Sequence, residues 1–139
     1  MKKVVFTNGV FDILHKGHLD LLRFCKEQGD YLVVAIDSDN RVRQTKGDER
    51  PINTQWDRKA LLEAIRFVDK VVVFDSLSEL RVLHETVKPD IVVKGSDWRS
   101  GDIRKTDGIL QESQLVFFPL LDGRSTTSVI ERIRRTKCS

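Results

Sequence analysis

A chain of 139 residues can bury one proper core without disulfides or a structural metal, and a second domain has no room, so a single domain over 1–139 is expected. With 40% apolar and 32% charged residues, the mix excludes a disordered tail and a membrane protein. The formal charge of +3 and pI near 9.0 are mildly basic, a balance that suits phosphorylated small molecules as well as nucleic acid.

The N-terminal "MKKVVFTNG" carries an apolar run far too short for a signal peptide or a membrane span, which makes the cytoplasm the default location. Five β-branched runs follow: "VVFT" at 4–7, "YLVVAI" at 31–36, "VVVF" at 71–74, "IVVK" at 91–94 and "LVFF" at 115–118. Each reads as a buried strand. Helical stripes alternate with them, through Leu19, Leu22 and Cys25, through Leu61, Leu62 and Ile65, and through Leu80, Leu83 and Val87, with a last one through Val129, Ile130 and Ile133. The alternation predicts an α/β doubly wound, Rossmann-like fold with a five-stranded parallel sheet and helices on both faces. Cys25 and Cys138 have neither metal-ligand spacing nor the density of a disulfide scaffold and read as reduced thiols.

In such sheets ligands bind beyond the carboxyl ends of the strands, where the strand order reverses. Four polar segments fall on that rim: "NGVFDILHKGH" after the first strand, "DSDNRVRQTKG" after the second, "KGSDW" after the fourth and "LDGRSTT" after the fifth. The stretches 45–55 and 95–108 are long for simple connections and read as substrate loops.

Two of the three histidines lie within "HKGH". Gly17 is expected to let the chain turn tightly into a helix whose N-terminal N–H groups suit phosphate. His15 and His18 then flank an anion site, each able to donate a hydrogen bond to oxygens that gain charge, the stabilisation that phosphoryl and nucleotidyl transfer need. The bland alternative is that they cap the helix. Ser125 is a natural N-cap for the last helix, and Gly123 and Arg124 before it make a second phosphate-binding end. Arg58 shares a helical face with Leu62 and so points inward, where it wants an anion; Lys46 in the preceding loop can reach phosphate. Trp98 can stack on a base or sugar while Asp97 bonds hydroxyls, whereas Trp56, off the Arg58 stripe, reads as packing. No GxGxxG, Walker motif, Ser-His-Asp order or zinc spacing occurs.

Taken together, "NGVFDILHKGH", "GDYLVVAIDSD", "DRKALLEAIRFVD", "VKGSDW" and "GRSTT" resemble, over nearly the whole chain, the cytidylyltransferase-type nucleotidyltransferases marked by HxGH. Within that family "FTNGVFDILHKGH", "KGDERPIN", "DIVVKGSDW" and "DGRSTT" look most like bacterial heptose 1-phosphate adenylyltransferases, which make ADP-heptose. Glycerol-3-phosphate cytidylyltransferase is the neighbouring branch. It carries an arginine-threonine-glutamate-glycine run before its Ser-Thr-Thr, where this chain has Leu120, Leu121, Asp122 and Gly123.

The resemblance implies that His15 and His18 stabilise the transferring α-phosphate and that Lys46 and Arg58 hold phosphates. Thr7, Asn8, Gly9 and Phe11 would form the nucleotide pocket with Gly95 and Asp97. Ser125, Thr126 and Arg124 would meet the triphosphate, and Asp37, Lys46 and Trp98 the sugar phosphate. Asp12 would order the turn. It further implies ATP as co-substrate, magnesium carried by the nucleotide phosphates rather than by protein side chains, a homodimer, and no membrane or nucleic-acid partner. With no kinase domain expected in 139 residues, a separate kinase would supply the sugar 1-phosphate. Two readings of other classes compete: a nucleotide-binding module without turnover, and nucleic-acid binding through the basic tail "RIRRTK".

Overall fold

A computed structural model describes residues 2–95, 102–119 and 126–136. In chain order the elements are β1 (Val4–Gly9), α1 (Lys16–Glu27), β2 (Tyr31–Asp37), α2 (Asp39–Lys46), α3 (Gln55–Glu63), β3 (Lys70–Phe74), α4 (Leu77–Val87), β4 (Ile91–Gly95), α5 (Ile103–Asp107), β5 (Gln114–Phe118) and α6 (Thr126–Arg135). All five expected strands form, each at most two residues longer than its apolar run. The expected helices form too. Two short ones are not expected from the sequence: α2 lies in the polar segment 37–47 and takes in Lys46, which reads from the sequence as a loop residue, and α5 lies inside 95–108, which reads as a substrate loop. The apolar content of both is too low for a stripe to show.

The strands make one parallel sheet in the order β3-β2-β1-β4-β5. The chain winds outward from β1 through β2 to β3, then returns to lay β4 on the other side of β1. The reversal therefore falls between β1 and β4, and the crevice outside their carboxyl ends is where such a sheet takes a ligand.

Alternate residues of the central strands feed two cores. Val5, Leu32, Val34, Ile36 and Val93 meet Leu22 and Cys25 of α1 and Leu62 of α3 on one face. Phe6, Val33, Ala35 and Val92 meet Leu80 of α4, Ile103 of α5 and Ile109 on the other. Helices thus cover both faces, the doubly wound arrangement. The helical stripes are narrower than their sequence patterns: Leu19 is 40%, Leu61 48% and Ile133 62% exposed, because a two-layer contact buries only the residues aimed at the sheet.

Two polar side chains, those of Lys94 and His84, are buried beside the central strands. Lys94 of β4 places its ammonium between the side-chain oxygen of Asn8 on β1 and the carboxylate of Asp107 at the end of α5. His84 of α4 is fully buried against Phe6, ring centroids 4.5 Å apart. Neither of its ring nitrogens has a hydrogen-bond partner among the described residues, and burial, reinforced by the charge of Lys94, pushes its pKa down to about 4.

Candidate active site

The loop from β1 to α1 is built by backbone conformations that side chains rarely adopt. Phe11 and Ile13 hold φ of 54° and 49°, costing roughly 1–3 kcal/mol each. The tight turn expected of Gly17 is made here instead, and Gly17 lies in the first turn of α1 without a positive φ. Gly9 allows a close approach: a Cβ there would lie 3.0 Å from the Phe11 ring, which would have to give by a few tenths of an ångström.

Asp12, fully buried between the two strained residues, holds the loop down. Its carboxylate accepts from the backbone N–H of Ile52 at 2.6 Å and of Asn53 at 2.9 Å, and lies 3.9 Å from the Arg50 guanidinium. Its carbonyl accepts from the Thr126 hydroxyl at the start of α6. One residue thereby joins the HKGH loop, the 50–53 segment and the last helix, the ordering role expected of it.

His15 is the N-cap of α1, and its Nδ1 accepts from the Gly17 N–H at 3.0 Å. His18, three residues on, returns the bond: its Nδ1 accepts from the His15 N–H at 3.2 Å. This reciprocal capping box satisfies two orphan donors of the helix end. The capping and the chemical reading are therefore not alternatives. With Nδ1 an acceptor in both rings, a neutral imidazole must carry its proton on Nε2, and capping has set the tautomer. The rings stack 3.9 Å apart, with Phe11 5.3 Å from His18. Lys16 pairs with Asp20 at 3.1 Å on the solvent side.

Burial is the main reason that the pKa of His18 falls to about 4, and the neighbouring His15 adds to it while Asp12 opposes. The folded value lies below the unfolded 6.5, so the contribution of His18 to stability is complete above pH 6.5 and is lost as pH falls toward 4. His84 has the same sign and window. We expect nitrogen-detected NMR to show His18 as the neutral Nε2–H tautomer throughout pH 6–8; a midpoint near 6.5 would contradict the capping geometry.

The remaining sequence candidates divide by position. Arg58 points inward as expected and is 1% exposed. Its guanidinium donates to the carbonyls of Asn53 at 3.1 Å, Val10 at 2.9 Å and Asp37 at 2.8 Å, and to the Asp39 carboxylate at 2.9 Å. The anion it was expected to want is Asp39, and four of its five N–H donors are taken by the protein. Thr7 is also buried; its hydroxyl donates to the Val93 carbonyl at 2.9 Å, tying β1 to β4. Asn8 is engaged by Lys94. The side chains of Thr7 and Asn8 thus tie β1 to β4 at the strand reversal.

Asp37 ends β2 with Arg41 at 3.2 Å; burial pushes its pKa up, against the pull of Arg41 and Arg58. Lys46 is exposed at the end of α2, and Gly95 closes β4 beside Phe118. Asp97, Trp98, Arg124 and Ser125 lie outside the described residues. Sequence reasoning missed two ion pairs, Arg50 with Asp12 and Lys94 with Asp107. Arg50 and Lys94 stand inside segments that carry the resemblance, but their partners lie far off in the chain or in a segment that reads as a loop, and only the fold brings each pair together.

A model of the Cytidylyltransferase-like family matches residues 6–134. The bifunctional protein HldE of Campylobacter concisus (strain 13826) is 46% identical over 136 residues, covering 98% of this chain and 28% of that protein. HldE of Helicobacter pylori (strain J99) is 44% identical, with 97% and 28% covered. The chain spans little more than a quarter of these curated relatives' length. Among solved structures, the lipopolysaccharide core biosynthesis protein from Thermoplasma volcanium superposes with a TM-score of 0.75 at 30% identity, covering 88% of this chain and 100% of that one. Pantothenate synthetase from Thermus thermophilus, at TM-score 0.56 and 18% identity over 86% of this chain and 56% of its own, shares the fold.

Proposed function

The chain belongs to the Cytidylyltransferase-like family, and from that membership we propose that it is a nucleotidyltransferase domain that moves AMP from ATP to heptose 1-phosphate, giving ADP-heptose and pyrophosphate. The observation that carries the reading is the pair of capped imidazoles at the N-terminus of α1, outside the carboxyl end of β1 at the strand reversal. The choice of heptose rests on the four segments that look like heptose 1-phosphate adenylyltransferases. The similarity to HldE proteins and to a lipopolysaccharide core biosynthesis protein supports it.

An oxygen of the sugar phosphate attacks the α-phosphorus of ATP. The bond from that phosphorus to the α–β bridging oxygen breaks, and its electron pair leaves with pyrophosphate. A phosphate monoester, with its second pKa near ~6, is already ionised at neutral pH, so the nucleophile needs no general base. His15 and His18 donate from Nε2 to the α-phosphate oxygens as charge builds, and the helix N-terminus behind them adds its partial positive charge. Because Nδ1 of each ring is bonded to backbone, the rings do not reorient during the reaction.

In this reading Lys46 meets phosphate, Gly95 and Asp97 the nucleotide, and Ser125, Arg124 and the backbone N–H of Thr126, whose hydroxyl is held by Asp12, the triphosphate end. Asp37 and Trp98 are the residues that the resemblance puts on the acceptor side. Gly9 and Phe11 wall the pocket, and Arg58, Thr7 and Asn8 position it without touching ligand. Among the described residues no three His, Cys, Asp or Glu side chains gather to hold a metal. The rim offers N–H donors and cations, which suit phosphate oxygens, so the residues fit magnesium that arrives with ATP and offsets phosphate charge. A homodimer belongs to the same proposal. No helix among the described residues is long and apolar enough to cross a membrane.

The test is magnesium-dependent pyrophosphate release with ATP or CTP against heptose 1-phosphate or glycerol 3-phosphate. Turnover is expected with ATP and heptose 1-phosphate alone. Turnover with CTP and glycerol 3-phosphate would reassign the chain to the neighbouring branch, and none in all four would leave a nucleotide-binding module.

A further inference from the structure

One feature of the sequence is left without a use by this reaction: the basic end "RIRR" at 132–135. Thr127, Ile130, Glu131 and Arg134 stand at i, i+3, i+4 and i+7 of α6, one face of the helix. That face forms one wall of a cleft of about 190 Å³. Lys46, Glu49 and Arg50 form the other wall.

The cleft is graded along its length. At its inner end the Arg50 side chain is 14% exposed, with Nε turned toward buried Asp12 at 3.9 Å; Asp12 stands three residues before His15. At its outer end Arg134 is 65% exposed and reaches Glu49 across the gap at 2.7 Å. From Thr127 to Arg134 the helix rises roughly 10 Å, at about 1.5 Å per residue. Ile130, half-buried, supplies an apolar patch between the two ends.

An arginine and a lysine on one wall, Arg50 and Lys46, suit a phosphate. Exposed carboxylates accept hydrogen bonds from hydroxyls, and an aliphatic side chain covers the C–H face of a sugar ring. A nucleic-acid surface would not set two carboxylates among its cations.

Resting on the function proposed above, we propose that this cleft seats the acceptor, a polyhydroxylated sugar phosphate. Its phosphate lies toward Arg50 and Lys46, next to the HKGH loop, and its hydroxyls lie toward Glu131 and the Glu49–Arg134 pair. Arg134 is then part of an acceptor site and not of a nucleic-acid tail.

Glu131→Ala and Arg134→Ala are the test, since both side chains are exposed and neither holds the fold together. Each is expected to raise KM for heptose 1-phosphate about fivefold or more, with KM for ATP and kcat within about twofold and the melting temperature unchanged. Arg50→Ala should weaken the same step further, and calorimetry with heptose 1-phosphate should show the loss directly in Kd. If the wild type turns over heptose 1-phosphate and both helix variants match it in KM, the cleft is not the acceptor site and the function stands. If the wild type binds ATP but no heptose 1-phosphate, both fall together.

Discussion

His15→Ala and His18→Ala proteins are expected to lose at least about 100-fold in turnover each, the cost of removing one donor from a preorganised anion-stabilising site. Alanine also removes a helix cap, worth ~1 kcal/mol, so it does not by itself separate chemistry from folding. His15→Asn does. Asparagine is among the best N-caps, but its short amide cannot put a donor where imidazole Nε2 lies. We expect His15→Asn to unfold in urea within about 0.5 kcal/mol of wild type and still to show the 100-fold loss in pyrophosphate release. A His15→Asn protein with near-normal turnover would reduce His15 to a cap, and a protein that binds ATP but never turned over would be a binding module.

Arg58→Met is expected to destabilise the fold by about 3–5 kcal/mol, the usual cost of removing one member of a buried ion pair, out of a total stability of typically ~5–15 kcal/mol. The variant would leave Asp39 without its buried partner and three carbonyls, on Asn53, Val10 and Asp37, without their donor. Arg58→Lys should recover little, since one ammonium cannot reach four acceptors that lie around a planar fork. Equilibrium urea unfolding measures this. If Arg58→Met kept the wild-type midpoint and lost only turnover, Arg58 would be meeting a substrate phosphate after all.

These residues show how far the chain can be read without its fold. His15 and His18 are legible because their chemistry and position are local: three residues apart, after an apolar strand, at the mouth of an amphipathic helix. Even the choice between cap and catalyst is visible in the sequence, although its resolution needs the direction of each ring. For Arg58 the inward direction follows from its spacing to Leu62, but the partner does not. Asp39 is near in sequence only by loop and helix counting, and Val10 lies 48 residues away. Asp12 reads as ordering a turn; that it also anchors Ile52, Asn53 and Thr126 has no trace in any local pattern.

The sequence by itself determined the α/β class, the five parallel strands, the rim on which the polar segments gather and the family. Each of these depends on periodicity or on motifs whose residues are close in the chain. Only the tertiary structure decided that the strand reversal falls between β1 and β4, that the side chains of Thr7, Asn8 and Arg58 are committed to partners within the protein, and that Arg50 and Arg134 line one cleft. Those outcomes depend on which segments the sheet order brings side by side. Hydrogen-bond donors then commit to whichever acceptors burial leaves them, a choice made across tens of residues and therefore invisible to any window along the sequence.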